Sequence, residues 1–483
     1  MFLKNTSTGQ TIFKNTLWLL SAETFSKLLL FFLIIWIARY LGTEGYGKFS
    51  FAFAFVSLFA ILADFGLATL TVREASRDKS KTKKYIDNIL IIKLFLGILT
   101  FVLIILSVQL LGKTPEVKTL VYLAGIFTVI QSFTQFLYAV FRVFEKMEYQ
   151  ALSKIIYGLS LFAIVAFVLW NQLGLRNLII AYIIADSLTL ILALFLVWKK
   201  FTKFSLELDF SFWKKILAQA WPFALSAIFI SVYYYMDSVM LSVMKNDQAV
   251  GWYNAAYKPI IFMTNLAGIV LQSFFPVISR FYKESIEKVN YILDKFARLM
   301  VTVAIPLAFG GTMLALPIIN LLYGQEYLDG TLAFQILVWT AAIIYISIVY
   351  GNSLQACDRQ KISLIGVGIG AGINIILNFI LIPYFSLNGA AIATLLTELL
   401  VFIFMYFQLN KFAKVNFARY ILKPFIASII MCGLLYILKD LHVILLILIG
   451  AACYFSIMIV IKGLVKEDLN FLQSLVSSKV KND

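Results

Sequence analysis

The chain has 483 residues, of which 61% are hydrophobic and 16% aromatic, with a formal net charge of +16. Soluble globular chains average about 45–50% apolar residues, so this composition excludes them and points to a polytopic helical membrane protein. No run alternates polar and apolar residues with a period of two, which argues against a transmembrane barrel.

Fourteen apolar runs are long enough to cross a bilayer, since about 20 apolar residues span about 30 Å of hydrocarbon. In chain order they are 15–40, 46–70, 88–111, 119–141, 152–170 and 175–198; then 215–242, 250–275, 298–323, 331–352, 361–383 and 388–409; and last 420–438 and 441–461. The first run is too long for a cleaved signal peptide and is expected to stay as a spanning helix. Most Lys and Arg residues fall in alternate connectors, among them Arg73 to Lys84, 199–215 and 280–298. That asymmetry predicts a multi-pass protein of the cell membrane with both termini cytoplasmic. The basic excess is then a matter of topology and of attraction to anionic membrane lipids, and no nucleic-acid partner is expected.

The runs repeat. Leu20-Ser21-Ala22 in the first returns as Leu225-Ser226-Ala227 in the seventh. Gly45-Tyr46 returns as Gly251-Trp252, and Ala181 to Asp186 is matched by Ala393 to Glu398. These near-constant offsets predict an all-α fold of two pseudo-symmetric six-helix halves plus a C-terminal helix pair. The domains expected are 1–198, a connector 199–214, 215–410, and 411–483 holding the last two helices and a tail. Pro222, Pro259, Pro306 and Pro317 interrupt runs of the second half, which is therefore the better candidate for bending. Gly366, Gly368, Gly370 and Gly372 lie inside a run, where close helix packing explains them better than a nucleotide loop.

Polar side chains line up on particular faces. At 100° per residue, positions seven or eleven apart nearly coincide in direction. Thr16, Glu23 and Lys27 share a face of the first run, and Ser50, Ser57 and Asp64 one of the second. Gln219, Ser226, Tyr233 and Asp237 align in the seventh, and Asn254, Lys258, Asn265 and Gln272 in the eighth. An ionisable group at bilayer depth costs at least about 2.5–3.5 kcal/mol, so such residues face protein or water. Two readings follow: walls of a water-filled cavity, or hydrogen bonds and ion pairs that hold the bundle together, such as Glu23 with Lys27 or Asp237 with Lys258. Lys93 and Asp186 are assigned to the structural reading. Tyr233, Tyr234 and Tyr235 before Asp237, and Trp252, Tyr253 and Tyr257 before Lys258, favour the cavity, because such rings suit both faces of a sugar. The last two runs carry ionisable residues only near their ends, Lys423 and His442, and are expected to face lipid.

No catalytic motif is present. The chain has one histidine and three cysteines, Cys357, Cys432 and Cys453, with no Walker loop, metal-binding pair or nucleophile elbow. No enzyme activity, cofactor, metal site or catalytic residue is predicted.

The segment Ile37-Ala38-Arg39-Tyr40-Leu41-Gly42-Thr43-Glu44-Gly45-Tyr46-Gly47-Lys48-Phe49-Ser50, followed by Ala63-Asp64-Phe65-Gly66-Leu67, resembles the opening of Wzx-type polysaccharide flippases. Tyr234 to Ser238, Val250 to Lys258 and Ile382 to Ala393 extend the likeness. These flippases form the polysaccharide-transporter branch of the MOP (multidrug/oligosaccharidyl-lipid/polysaccharide) exporters. The resemblance implies two six-helix lobes in a V, alternating access, and passage of a polyprenyl-diphosphate-linked oligosaccharide from the inner to the outer leaflet. It makes Lys27, Arg39 and Lys258 candidates for holding the anionic headgroup, with Tyr233, Asp237, Asn254 and Asn265 beside them in a central cavity. Glu23, Asp64 and Asp237 are candidates for coupling H⁺ or Na⁺. A polysaccharide polymerase and other assembly proteins are the implied partners. Lipid II flippases rely on cavity arginines where this chain has lysines, which argues against lipid II as the substrate. The competing readings are a drug or metabolite cation antiporter, which would favour unbalanced carboxylates, and a membrane polymerase or ligase, which would need a large outer loop.

Overall fold

A computed structural model describes residues 8–203, 205 and 208–463, with side chains described from residue 24 onward. The helices are α1 (Thr8–Asp64), α2 (Leu67–Arg77), α3 (Thr82–Leu110), α4 (Pro115–Val143), α5 (Met147–Trp170), α6 (Gly174–Lys200), α7 (Phe210–Met244), α8 (Asp247–Tyr282), α9 (Ile286–Met313), α10 (Ala315–Tyr323), α11 (Thr331–Ala356), α12 (Gln360–Asn410), α13 (Leu422–Ile437) and α14 (Val443–Val460). The described residues hold no strand. Ten of these helices are long and apolar enough to cross a membrane, or eleven when α9 and α10, bent by 75°, count as one span. α13 is a shorter apolar helix.

Two helices carry an internal break. α1, at 57 residues, is interrupted at Gly42 (φ 66°), and α12, at 51 residues, at Ser386 (φ 51°). Straight helices of that length would run about 75–85 Å, well over twice the hydrocarbon thickness. Gly42 adopts its positive φ without steric cost. At the second break Pro383 removes a backbone donor, and a Cβ on Gly389 would lie 2.4 Å from the Leu381 carbonyl oxygen. Both breaks fall in the gaps read between apolar runs.

The chain divides into two compact units, Met1–Val243 and Met244–Asp483. In the first, Leu67 and Leu70 of α2, Ile86 and Ile89 of α3, Phe136 and Phe141 of α4, and Val197 of α6 form a buried cluster with Ile216 and Ala220 of α7. Gly66 (φ +76°) lets α7 approach: a Cβ there would meet the Phe223 Cβ at 2.7 Å and the Ala220 carbonyl at 2.9 Å. In the second unit α11 packs against α8, α9 and α12, while α13 lies on α9 and α14 on α13. Ala427, Met431, Leu435, Leu446, Tyr454 and Met458 make the seam of that last pair, and Ile429, Ile430, Leu445 and Leu448 stay exposed around it. Exposed isoleucine and leucine on a spanning helix fit a surface solvated by lipid, where packing rather than water exclusion holds helices together. Of the glycine run, Gly366 carries the expected packing role, because a Cβ there would meet Met405 at 2.3 Å, whereas a Cβ on Gly372 would meet nothing within 4 Å.

Candidate functional site

Four helices of the first unit enclose a polar cavity of about 230 Å³. α1 supplies Ser26, Lys27 and Leu30, α4 Gln131, Gln135 and Tyr138, α5 Lys154 and Tyr157, and α6 Asp186. Gln131, Gln135 and Tyr138 recur at four and three residues, which keeps them on one face of α4. The Ser26 hydroxyl donates to the Lys154 carbonyl at 3.2 Å and ties α1 to α5. Asp186 is buried, and the Thr134 hydroxyl lies 3.4 Å from its Oδ2. Lys27 and Gln135 are exposed, so the cavity opens outward. Two ammoniums, one carboxylate, two amides and two phenols can bind hydroxyl-rich or anionic groups by hydrogen bonds.

Lys27 is the one expected cavity residue that lines this chamber. Asp186, assigned to structural pairing from the sequence, lines it too. Gln131, Gln135, Tyr138, Lys154 and Tyr157 were not singled out; the two glutamines four residues apart in an apolar run were the available signal. Arg39 is exposed and lies twelve residues beyond Lys27, about 18 Å along the helix axis. The side chain of Glu23, and with it the Glu23–Lys27 pair, lies outside the described residues.

Asp64 is engaged elsewhere. Lys93 of α3, with no exposed surface, reaches Asp64 Oδ1 at 2.8 Å and donates to the Ala63 carbonyl at 3.1 Å. The Phe133 and Phe136 rings sit 5.9 and 6.0 Å from the ammonium. Lys93 thus fills the pairing role expected of it, and the charge of Asp64 is already balanced. On α7, Tyr233 is half-buried and Asp237 buried, one turn apart.

In the second unit Asn254 is buried and donates to the Val250 carbonyl at 3.0 Å, while Asn265 donates to Ile261 at 2.9 Å. Lys258 lies between them on α8, half-buried, with no hydrogen-bond or ion-pair partner among the described residues. Such a cation within a spanning helix is costly unless water or a ligand reaches it. The Tyr253 hydroxyl, one of the aromatics singled out in the sequence, meets Thr394 Oγ1 at 3.2 Å; Asn378 of α12, which the sequence reading did not single out, donates to the Asn374 carbonyl at 3.0 Å.

Comparisons with known proteins fit this architecture. A sequence model of the family described as "Polysaccharide biosynthesis protein" matches residues 12–282. The chain is 25% identical over 434 residues to the "Probable low-salt glycan biosynthesis flippase Agl15" of Haloferax volcanii, covering 89% of this chain and 90% of that protein. It is 22% identical over 407 residues to the "Capsular polysaccharide biosynthesis protein CapF" of Staphylococcus aureus, covering 82% and 98%. Among solved structures, "Lipid II flippase MurJ, inward closed conformation" superposes with a TM-score of 0.79 at 18% identity, covering 92% of this chain and 98% of that one. At that identity the likeness shows the fold, that of the MOP exporters.

Proposed function

The chain belongs to the polysaccharide biosynthesis protein family, and from that membership and a fold shared with transporters of the MOP superfamily we propose that it is a flippase for a lipid-linked oligosaccharide. Its cargo is a polyprenyl-diphosphate-linked repeat unit of a cell-surface polysaccharide, carried from the inner to the outer leaflet by alternating access between two six-helix lobes, 1–198 and 215–410. Both termini are cytoplasmic in this reading. The observation that carries it is the chamber of Lys27, Lys154 and Asp186 with its amides and phenols, set among helices whose outer faces are apolar. A hydrated saccharide needs such a lining to pass the hydrocarbon, and its lipid tail needs none.

Lys27, Arg39 and Lys258 meet the anionic headgroup, and Tyr233, Asp237, Asn254 and Asn265 meet sugar hydroxyls. No bond breaks in this cycle, so the work is positioning and charge balance. H⁺ or Na⁺ coupling falls to Glu23 and Asp237 before Asp64, because Lys93 already neutralises Asp64. A polysaccharide polymerase and other assembly proteins receive the flipped product. The lysines oppose an organic-cation antiporter by repulsion, as Lys27 and Lys154 share one chamber.

Proteoliposomes of the purified protein test the assignment. They receive either a fluorescent polyprenyl-diphosphate oligosaccharide or an organic cation, with and without a pH or Na⁺ gradient. Movement of the lipid-linked sugar alone is expected. Gradient-driven cation efflux without lipid flipping would overturn the reading.

A further inference from the structure

A second cavity, of about 280 Å³, lies in the second unit, apart from every residue assigned to transport. Arg298 and Thr302 of α9, Arg419 and Tyr420 of the 3-10 turn Phe417–Tyr420, Lys423 and Pro424 of α13, and Met458 and Gly463 at the end of α14 line it. Three cations therefore converge from three elements. Arg298 donates to the Gly463 carbonyl at 2.9 Å, and Lys423 to the Lys462 carbonyl at 2.9 Å. These main-chain anchors fix where the charges point, and an ammonium with three donors keeps others for a ligand. Arg419 pairs with Asp294, which also accepts from the Tyr420 hydroxyl. Tyr420 lies beneath both guanidiniums, 5.9 Å from Arg298 and 4.8 Å from Arg419. Among the described residues that line the cavity there are three cations and no carboxylate, since Asp294 lies outside the lining.

The first turn of α13 adds to this field. Its N-cap, Ile421, offers no side-chain cap, and Lys423 and Pro424 of that turn border the cavity. Pro424 has no N–H, so the amides of Leu422 and Lys423 are what this helix start offers an anion. Next to the pocket the surface changes character: Leu422 and Ile459 are each 65% exposed and Val460 79%. An anion with an apolar body fits that junction, and a free ion uses only half of it.

We propose that this pocket binds the phosphate of an anionic glycerophospholipid, held by Arg298, Arg419 and Lys423, with its acyl chains on the exposed apolar surface beside it. On the topology given above it opens to the cytoplasmic leaflet, where anionic headgroups concentrate. The lipid fastens α13 and α14 to α9 and is a resident of the protein rather than its cargo.

The test uses the full chain purified in detergent and titrated with phosphatidylglycerol or phosphatidylcholine, with bound lipid counted by native mass spectrometry. The wild type is expected to hold phosphatidylglycerol and not phosphatidylcholine. Arg419→Gln with Lys423→Gln is expected to weaken that binding about 30-fold, from about fivefold per neutralised cation at a membrane surface. Arg419→Lys with Lys423→Arg keeps it. Equal retention of both lipids, or an unchanged Gln variant, would overturn the proposal. Should the Gln variant fail to purify, the wild type alone decides: phosphatidylglycerol raises its melting temperature above that in phosphatidylcholine, and no difference overturns the site. Displacement by equimolar polyprenyl diphosphate overturns the resident-lipid assignment in favour of the transport carrier. Displacement by inorganic phosphate at the same concentration overturns the role of the acyl chains.

Discussion

Lys93 shows how a single charge survives inside the bundle. Its stem is wholly buried, and its ammonium has a carboxylate at 2.8 Å and a main-chain carbonyl at 3.1 Å. Removing one partner leaves the other charged and poorly solvated, which costs about 3–5 kcal/mol in buried pairs; the partial exposure of Asp64 puts this case at the lower end. Lys93→Met is therefore expected to lower the melting temperature in detergent, and Lys93→Met with Asp64→Asn to recover most of the loss. Equal melting of the single and double variants would mean that the pair is not coupled. Asp186 differs, because the Thr134 hydroxyl rather than a cation lies against it and it borders an open cavity. The sequence shows both acids as lone charges in apolar runs. Their partners come from other helices, Lys93 twenty-nine residues beyond Asp64 and Thr134 fifty-two before Asp186, so no local spacing separates the acid paired with a cation from the one beside a hydroxyl.

At the scale of elements, α7 is tied to the helix start of α3. The Asp87 carboxylate of α3 accepts from the Ser205 amide at 2.9 Å and hydroxyl at 2.6 Å, and Asn88 Oδ1 accepts from the Asp209 amide and the Trp213 indole. Asp209 closes the arrangement by pairing with Lys84 at 2.7 Å and capping α7 through the Phe212 amide at 2.9 Å. The Lys84 ammonium and that cap hold the Asp209 carboxyl below its usual range. A depressed carboxyl stabilises the fold above its unfolded value of about 3.9 and loses that contribution as pH falls through the lower folded value. Asp209→Ala is expected to speed hydrogen exchange of the Phe212 amide severalfold at pH 7. The wild type should show the same loss of protection only below about pH 4, after correction for intrinsic exchange. Equal protection in the variant would remove Asp209 from the clamp. Of the prolines expected to interrupt spans, Pro222, Pro259 and Pro306 lie inside continuous helices, and Pro317 alone lies beside a sharp bend, just past that between α9 and α10.

Over the whole molecule, the proposed transport role is assigned to charges from each of the two units. Asp237 is buried on α7, and Lys258 sits on α8 without a partner among the described residues. Neither forms part of the Lys93–Asp64 pair or the Asp209 clamp. Asp237→Asn and Lys258→Ala are each expected to abolish flipping in proteoliposomes while expression and monodispersity hold. Full flipping by both variants would sink the central-cavity assignment. Loss of expression instead would return both residues to a structural role.

The sequence by itself determined the class, most of the apolar helices and the breaks at Gly42 and Ser386, and carried the resemblance to polysaccharide flippases; the breaks at 65–66 and at Leu314 fall inside runs read as single spans. The features it determined are properties of one dimension. Bilayer thickness fixes the length of an apolar run, and a backbone in hydrocarbon must satisfy its own hydrogen bonds, so run lengths and breakers such as Gly42 and Pro383 write the helices directly. Only the tertiary structure decided that Lys27, Lys154 and Asp186 share a chamber, that Asp64 is neutralised, and that Arg298, Arg419 and Lys423 converge. Those outcomes depend on how far each helix is rotated and which neighbour it meets. In lipid that choice rests on close packing across helices, as where Gly66 admits Phe223 and Gly366 admits Met405, and no periodicity within a single run encodes it.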